Sequence, residues 1–179
     1  MLIKYDSVII PYSSKTIDCV LEICSKGFNY KQDDYTTTFL VKDRILFFGL
    51  EELSSGKRTR FPGIQGFIPP AVYEDVLTHL YNSTSEGSLR VSNMIFTCCY
   101  DGIEIQFLDS FPIGWTYKDL NVSSLRRCFI SKTAIEGFTV CGSTFDINAS
   151  FSNGALRLPP MATAECEKLY AYLKMHMLS

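Results

Sequence analysis

The stretch "SNMIFTCCYDGIEIQFL", residues 92–108, constrains the fold more than any other part of the chain. Apolar and polar residues alternate on both sides of Asp101-Gly102, and Asp-Gly between alternating runs is the strongest short-range hairpin signal. A hairpin with one apolar face is not stable alone, so the chain must supply more sheet and a layer to cover it. Strand candidates follow in quick succession at "GWTYKD", "LRRCFIS", "GFTVCG", "TFDINASF" and "ALRLP". Earlier, "YTTTFLVKDRILFFGLEEL" reads as two strands joined by a tight turn at Lys42-Asp43-Arg44. Thirteen Phe and ten Tyr suit such a core, because aromatic side chains favour strands.

Helical periodicity appears in three places. "VYEDVLTHLYN" puts Val72, Tyr73, Val76, Leu77, Leu80 and Tyr81 on one face, and Pro69 and Pro70 precede it where a missing N–H does no harm. "TAECEKLYAYLKMHM" places Cys166, Leu169, Tyr170, Leu173 and Met177 on one side, with Thr163 as its cap. "SSKTIDCVLEICSKGF" carries two periods at once. Ile17, Val20, Leu21 and Cys24 make a helical stripe, while Ile17, Cys19, Leu21 and Ile23 alternate as in a strand. Ser13 or Ser14 as a cap and Gly27 as a stop decide for a helix. The expected class is α+β: a strand-rich, bent antiparallel sheet with a few short helices, one of them C-terminal.

The 179 residues permit one large domain or two small ones. "STSEGS" (83–88) is polar, small and short, and divides an α+β half, 1–88, from a β-rich half with the terminal helix, 89–179. The two can also run on as one continuous domain. "FIPPAVYEDVLTHLY" and "RLPPMATAECEKLYAYL" both lead from a strand through Pro-Pro into a helix, ninety residues apart. The hairpin turns at Asp43 and Asp101 lie fifty-eight apart, so the echo reads as a shared way into a helix and not as a duplication.

A net charge of −2 gives no basic excess, so a dedicated nucleic-acid binder is not expected. Lys4 and Asp6 interrupt the apolar N-terminus, and no apolar run approaches the length that spans a bilayer. The expectation is a cytoplasmic protein without membrane insertion. The seven cysteines are an odd number without a CxxC pair, which excludes a zinc ribbon and suits buried reduced thiols.

No assembled catalytic set is visible. His79 and His176 have no HExxH context, no GxSxG occurs, and neither a metal nor a cofactor is expected. Of Cys98 and Cys99, on a strand, one faces the core and the other outward, where Asp101 and His79 are conceivable partners. Asp33, Asp34 and Tyr35 form an acidic, aromatic patch suited to a basic partner. Trp115 is the only tryptophan and an anchor candidate. "SSGKRTRFPGIQGFIPP" sets Lys57, Arg58 and Arg60 among glycines, as a connector or as an anion- or partner-binding loop. It lacks the GK[ST] ending of a P-loop, and its "GIQG" does not join two helices as a KH loop does.

The "DGIEI" strand, the "WTYKDL" segment and the closing "LRLPP…LYAYL" resemble the small bacterial pleckstrin-homology-like domains over about residues 90–178. The resemblance implies a bent sheet plugged by a helix and used for binding, with no catalytic residues to transfer. What remains is a compact, non-enzymatic protein-binding protein. The expected form is an immunity protein or antitoxin that masks the active surface of a basic toxin. The alternatives are a module that binds anionic lipid or RNA through Lys57, Arg58 and Arg60, and a Cys-dependent enzyme.

Overall fold

The computed structural model describes residues 1–9, 16–32, 35–36, 39–45, 47–50, 69–81, 87–111, 115–117, 120–122, 125–150 and 155–177. Strands β1 (Leu2–Ile9), β2 (Thr16–Cys24) and β3 (Gly27–Gln32) are antiparallel neighbours. Two short strands, β4 (Tyr35–Thr36) and β5 (Leu40–Val41), share the outer edge of β3. A 3-10 turn at Lys42–Arg44 leads to β6 (Phe47–Leu50), and helix α1 covers Pro70–Leu80. Then come β7 (Ser88–Val91), β8 (Met94–Cys99), β9 (Gly102–Phe111), the ribbon β10 (Trp115–Tyr117) and β11 (Leu120–Val122), and β12 (Leu125–Ser131). A second 3-10 turn, Lys132–Ala134, precedes β13 (Ile135–Cys141), β14 (Thr144–Ala149), β15 (Ala155–Arg157) and the C-terminal helix α2 (Thr163–Met177). The second sheet has the order β6-β12-β9-β8-β7, and the third β13-β14-β15. The fold is α+β, with antiparallel sheets and a C-terminal helix, as the sequence indicates.

Four local expectations are corrected. Residues 16–24 form a strand and not a helix. Ile17, Cys19, Leu21 and Ile23 are buried while Thr16, Asp18, Glu22 and Cys24 are exposed. The alternation therefore outweighs the helical stripe, which needed Cys24 inside. The strands flanking Lys42–Arg44 do not form a hairpin with each other, since β5 pairs with β3 and β6 with β12. The β8–β9 turn consists of Tyr100 and Asp101, because Gly102 already pairs with Cys99. At α2, the Ala162 carbonyl accepts from the Glu165 and Cys166 N–H groups, so the cap falls one residue before Thr163.

Two apolar clusters form the core. One joins the inner faces of β8, β9, β12 and β14 to Cys166, Leu169, Leu173 and Met177 of α2. The other joins β2 and β3 to Val72, Tyr73, Val76, Leu77 and Leu80 of α1, and also takes in Cys99 and Phe129 from the second sheet. The second sheet is thus covered on both faces. Alternation along β12 sends Cys128 and Ile130 towards α2 and Phe129 towards α1.

The same device is built twice. Cys24 pairs with Gly27 across Ser25-Lys26, and Cys99 pairs with Gly102 across Tyr100-Asp101. In each hairpin the carbonyl before the glycine accepts from the first residue of a 3-10 turn: Lys42 N to Lys26 O at 2.8 Å, and Lys132 N to Asp101 O at 2.7 Å. In each, a Cβ on the glycine would meet a carbonyl oxygen, of Leu40 at 2.0 Å or of Ile130 at 2.2 Å. The two hairpins lie 75 residues apart and the two 3-10 turns 90 apart. The ribbon β10–β11 lies in the longer interval of the second unit.

Candidate functional site

Helix α1 lies on the outer face of the second sheet, and charged groups meet there. Arg127 on β12 donates from Nε to Glu104 Oε1 at 2.6 Å and pairs with it through its terminal nitrogen at 2.5 Å. Its other terminal nitrogen pairs with Glu74 of α1, and its guanidinium stands 5.2 Å from the centroid of the Tyr73 ring. Glu104 is only 8% exposed. Burial pushes its carboxyl up to about 7 and pulls the Arg127 guanidinium down, and the ion pair opposes both.

At one end of this seam lies an open cavity of about 390 Å³. The first unit contributes Lys42, Asp43 and, at the end of α1, Tyr81; the second contributes the Tyr100-Asp101 turn and the Ser131–Thr133 segment. Lys42 Nζ and Asp101 Oδ2 pair at 2.5 Å, and Lys42 Nζ lies 5.5 Å from the Tyr81 ring centroid. The Tyr81 ring packs at 4.2 Å on Phe129, which fixes it in the core. Tyr100 is the opposite case, 90% exposed at the rim.

A second concavity, about 380 Å³, runs between β13 and α2 and is walled by Phe138, Val140 and Tyr170, with Thr139 and Glu167 at its border. Strand β13 pairs with β14 on one side and, among the described residues, with no strand on the other.

The side chains expected to bind fall outside the described set. Asp33, Asp34, Lys57, Arg58 and Arg60 lie outside the described residues. Tyr35 and Trp115 fall on β4 and β10, with side chains outside the described set. Burial raises the Cys98 and Cys99 thiols to about 11, which leaves little thiolate near neutral pH. His79 faces Asp75 one helical turn away, at 3.8 Å, and His176 packs on the Tyr172 ring at 4.7 Å. Among the described residues no group of three His, Cys, Asp or Glu is placed to hold a metal ion, and no helix is long and apolar enough to cross a membrane. Glu104, Arg127 and Tyr100 were not singled out from the sequence, and Tyr81 was read there only as part of the apolar face of α1. Glu104 sits on the polar face of a strand, which reads as solvated until α1 is known to cover it.

No protein-family model, curated protein or solved structure matches the chain.

Proposed function

We propose that the chain is a non-enzymatic protein-binding protein that docks an extended segment of its partner along β13. The observation that carries this reading is the outer edge of β13, unpaired among the described residues and bordered by the groove of Phe138, Val140 and Tyr170. An open edge offers main-chain hydrogen bonds, and an adjoining apolar groove selects side chains of the added strand. The chain already uses this mode internally, since β6 of the first unit adds antiparallel to β12 of the second. Glu167 at the groove's border and Lys174, whose ammonium lies 5.9 Å from the Tyr170 ring centroid, give the added strand one charge of each sign to pair with. The specific form proposed is an immunity protein or antitoxin masking a toxin's active surface. It acts in the cytoplasm, where seven cysteines stay reduced. The pleckstrin-homology-like reading of residues 90–178 is part of the same proposal.

The test is a photo-crosslinking amino acid in place of Thr139, exposed beside the groove. Irradiation in the native host should trap one stoichiometric protein, and Val140→Thr, which keeps the side-chain volume against the core, should weaken the adduct at an unchanged melting temperature. Absence of an adduct at Thr139, with capture from Glu22 on the first sheet instead, overturns the assignment of β13.

A further inference from the structure

We infer that the seam cavity between the two units is a binding site for a neutral polyhydroxylated ligand, a saccharide ring. The inference goes beyond the docking face at β13 and uses none of its residues.

The first argument is the Tyr81 hydroxyl. Tyr81 is 1% exposed and lines the cavity, yet its Oη has no hydrogen-bond partner. A buried hydroxyl left unpaired costs about 1–3 kcal/mol, and because its oxygen exposes almost no surface a ligand satisfies it only by displacing a lining side chain. The second argument is charge. Lys42 and Lys132 face Asp43 and Asp101, and the four cancel. A phosphate, a carboxylate or a cation entering the site meets two groups of like charge along with two of opposite charge, so no ion is drawn in by net charge. A hydroxyl meets no such conflict, because it donates and accepts at one atom. Lys42 and Asp101 are already paired, which leaves Lys132 to donate and Asp43 to accept. Ser131 and Thr133 are bonded to each other through their hydroxyls at 2.9 Å and keep further hydrogen-bonding capacity.

The third argument is Tyr100. A ring 90% exposed at the tip of a two-residue turn bordering the cavity offers a flat, electron-rich face to a ligand. The C–H face of a sugar ring is apolar and weakly positive, and stacks on such a surface while its hydroxyls reach inward. The cavity, at about 390 Å³, falls in the range of small-molecule sites.

The experiment uses the full chain labelled with nitrogen-15. Neutral monosaccharides, their methyl glycosides, neutral disaccharides, inorganic phosphate and arginine amide are each titrated to about 10 mM, enough to detect millimolar affinity. The expected result is a saturable shift of the Lys42, Asp43, Asp101 and Lys132 amides with a neutral sugar, and none with phosphate or arginine amide. Preference for the glycoside marks a residue within a longer glycan; preference for the free sugar marks a soluble one. Tyr100→Ala should weaken binding about tenfold, the upper end of what an aromatic stack contributes, with an unchanged melting temperature. Tyr81→Phe should weaken it as well and leaves the ring packing in place. Three results overturn the inference: no sugar in the panel shifts these amides, phosphate or arginine amide binds in their stead, or sugar affinity is the same in both variants.

Discussion

Glu104 is a carboxylate on a strand whose alternate residues are core, and α1 turns its polar face into an interior. Burial and Arg127 act on it in opposite senses, and the pH dependence of stability tells which prevails. With its carboxyl raised to about 7 from 4.5, the folded protein holds the proton more tightly than the unfolded chain does. Stability contributed by this group is then present below pH 4.5 and is lost as pH rises through 7. Each tenfold difference in proton affinity is worth about 1.4 kcal/mol, so the loss is measurable by urea unfolding. Wild type should lose stability between pH 5 and 7.5, and Glu104→Gln should flatten that part of the profile. A wild-type profile that rises over the same interval, and flattens in the variant, shows that Arg127 outweighs burial. Arg127→Met is expected to be more damaging than Glu104→Gln at pH 8, because it leaves Glu104 buried and charged without a partner.

Elements were legible where a single signal dominated. Helix α1 follows from Pro-Pro at its start and an unbroken apolar face, and α2 from Cys166, Leu169, Leu173 and Met177. The second-half strands follow from their alternation. At β2 two periods competed, and Ser13, Ser14 and Gly27 pointed the wrong way. Gly27 stands where it does for a long-range reason, the carbonyl of Leu40 lying 2.0 Å from where its Cβ would be. Gly102 has the same constraint from the Ile130 carbonyl at 2.2 Å and the Phe129 ring at 2.7 Å. Backbone paired into a sheet cannot give way there. Gly102→Ala should therefore cost about 2–3 kcal/mol by overpacking. Gly137, whose added Cβ would meet nothing within 4 Å, serves as the control, and Gly137→Ala should be neutral or stabilise by up to about 1 kcal/mol. Equal effects at the two glycines would show that the close approach does not decide their use. Neither candidate site was legible at this scale. Lys42, Tyr81, Tyr100 and Lys132 are far apart in sequence and meet only because β6 pairs with β12 and α1 covers the sheet they form.

At the scale of the whole molecule, the two units repeat one hairpin-and-turn device but do not stand as separate bodies. Phe129 and Cys99 come from the second sheet and belong to the cluster under α1. Strand β6 comes from the first half and completes the edge of the second sheet. Arg127 links β9, β12 and α1 through Glu104 and Glu74. Separating the units would expose Phe129 and Tyr81 and leave the Glu104–Arg127 pair facing water without Glu74. Shared apolar clusters and a shared sheet make the units lose their structure together. Calorimetry should then show one transition, with the calorimetric enthalpy equal to the van't Hoff enthalpy. Leu77→Ala, in α1, should lower stability by about 2–5 kcal/mol. In the variant the second-sheet amides of Ile103 and Ile105 should lose hydrogen-exchange protection as much as those of Leu21 on the first sheet. Protection lost at Leu21 alone, or two resolved heat-absorption peaks, would mean that the seam is an interface between independently stable units. In that case the cavity at its end could open and close without unfolding either one.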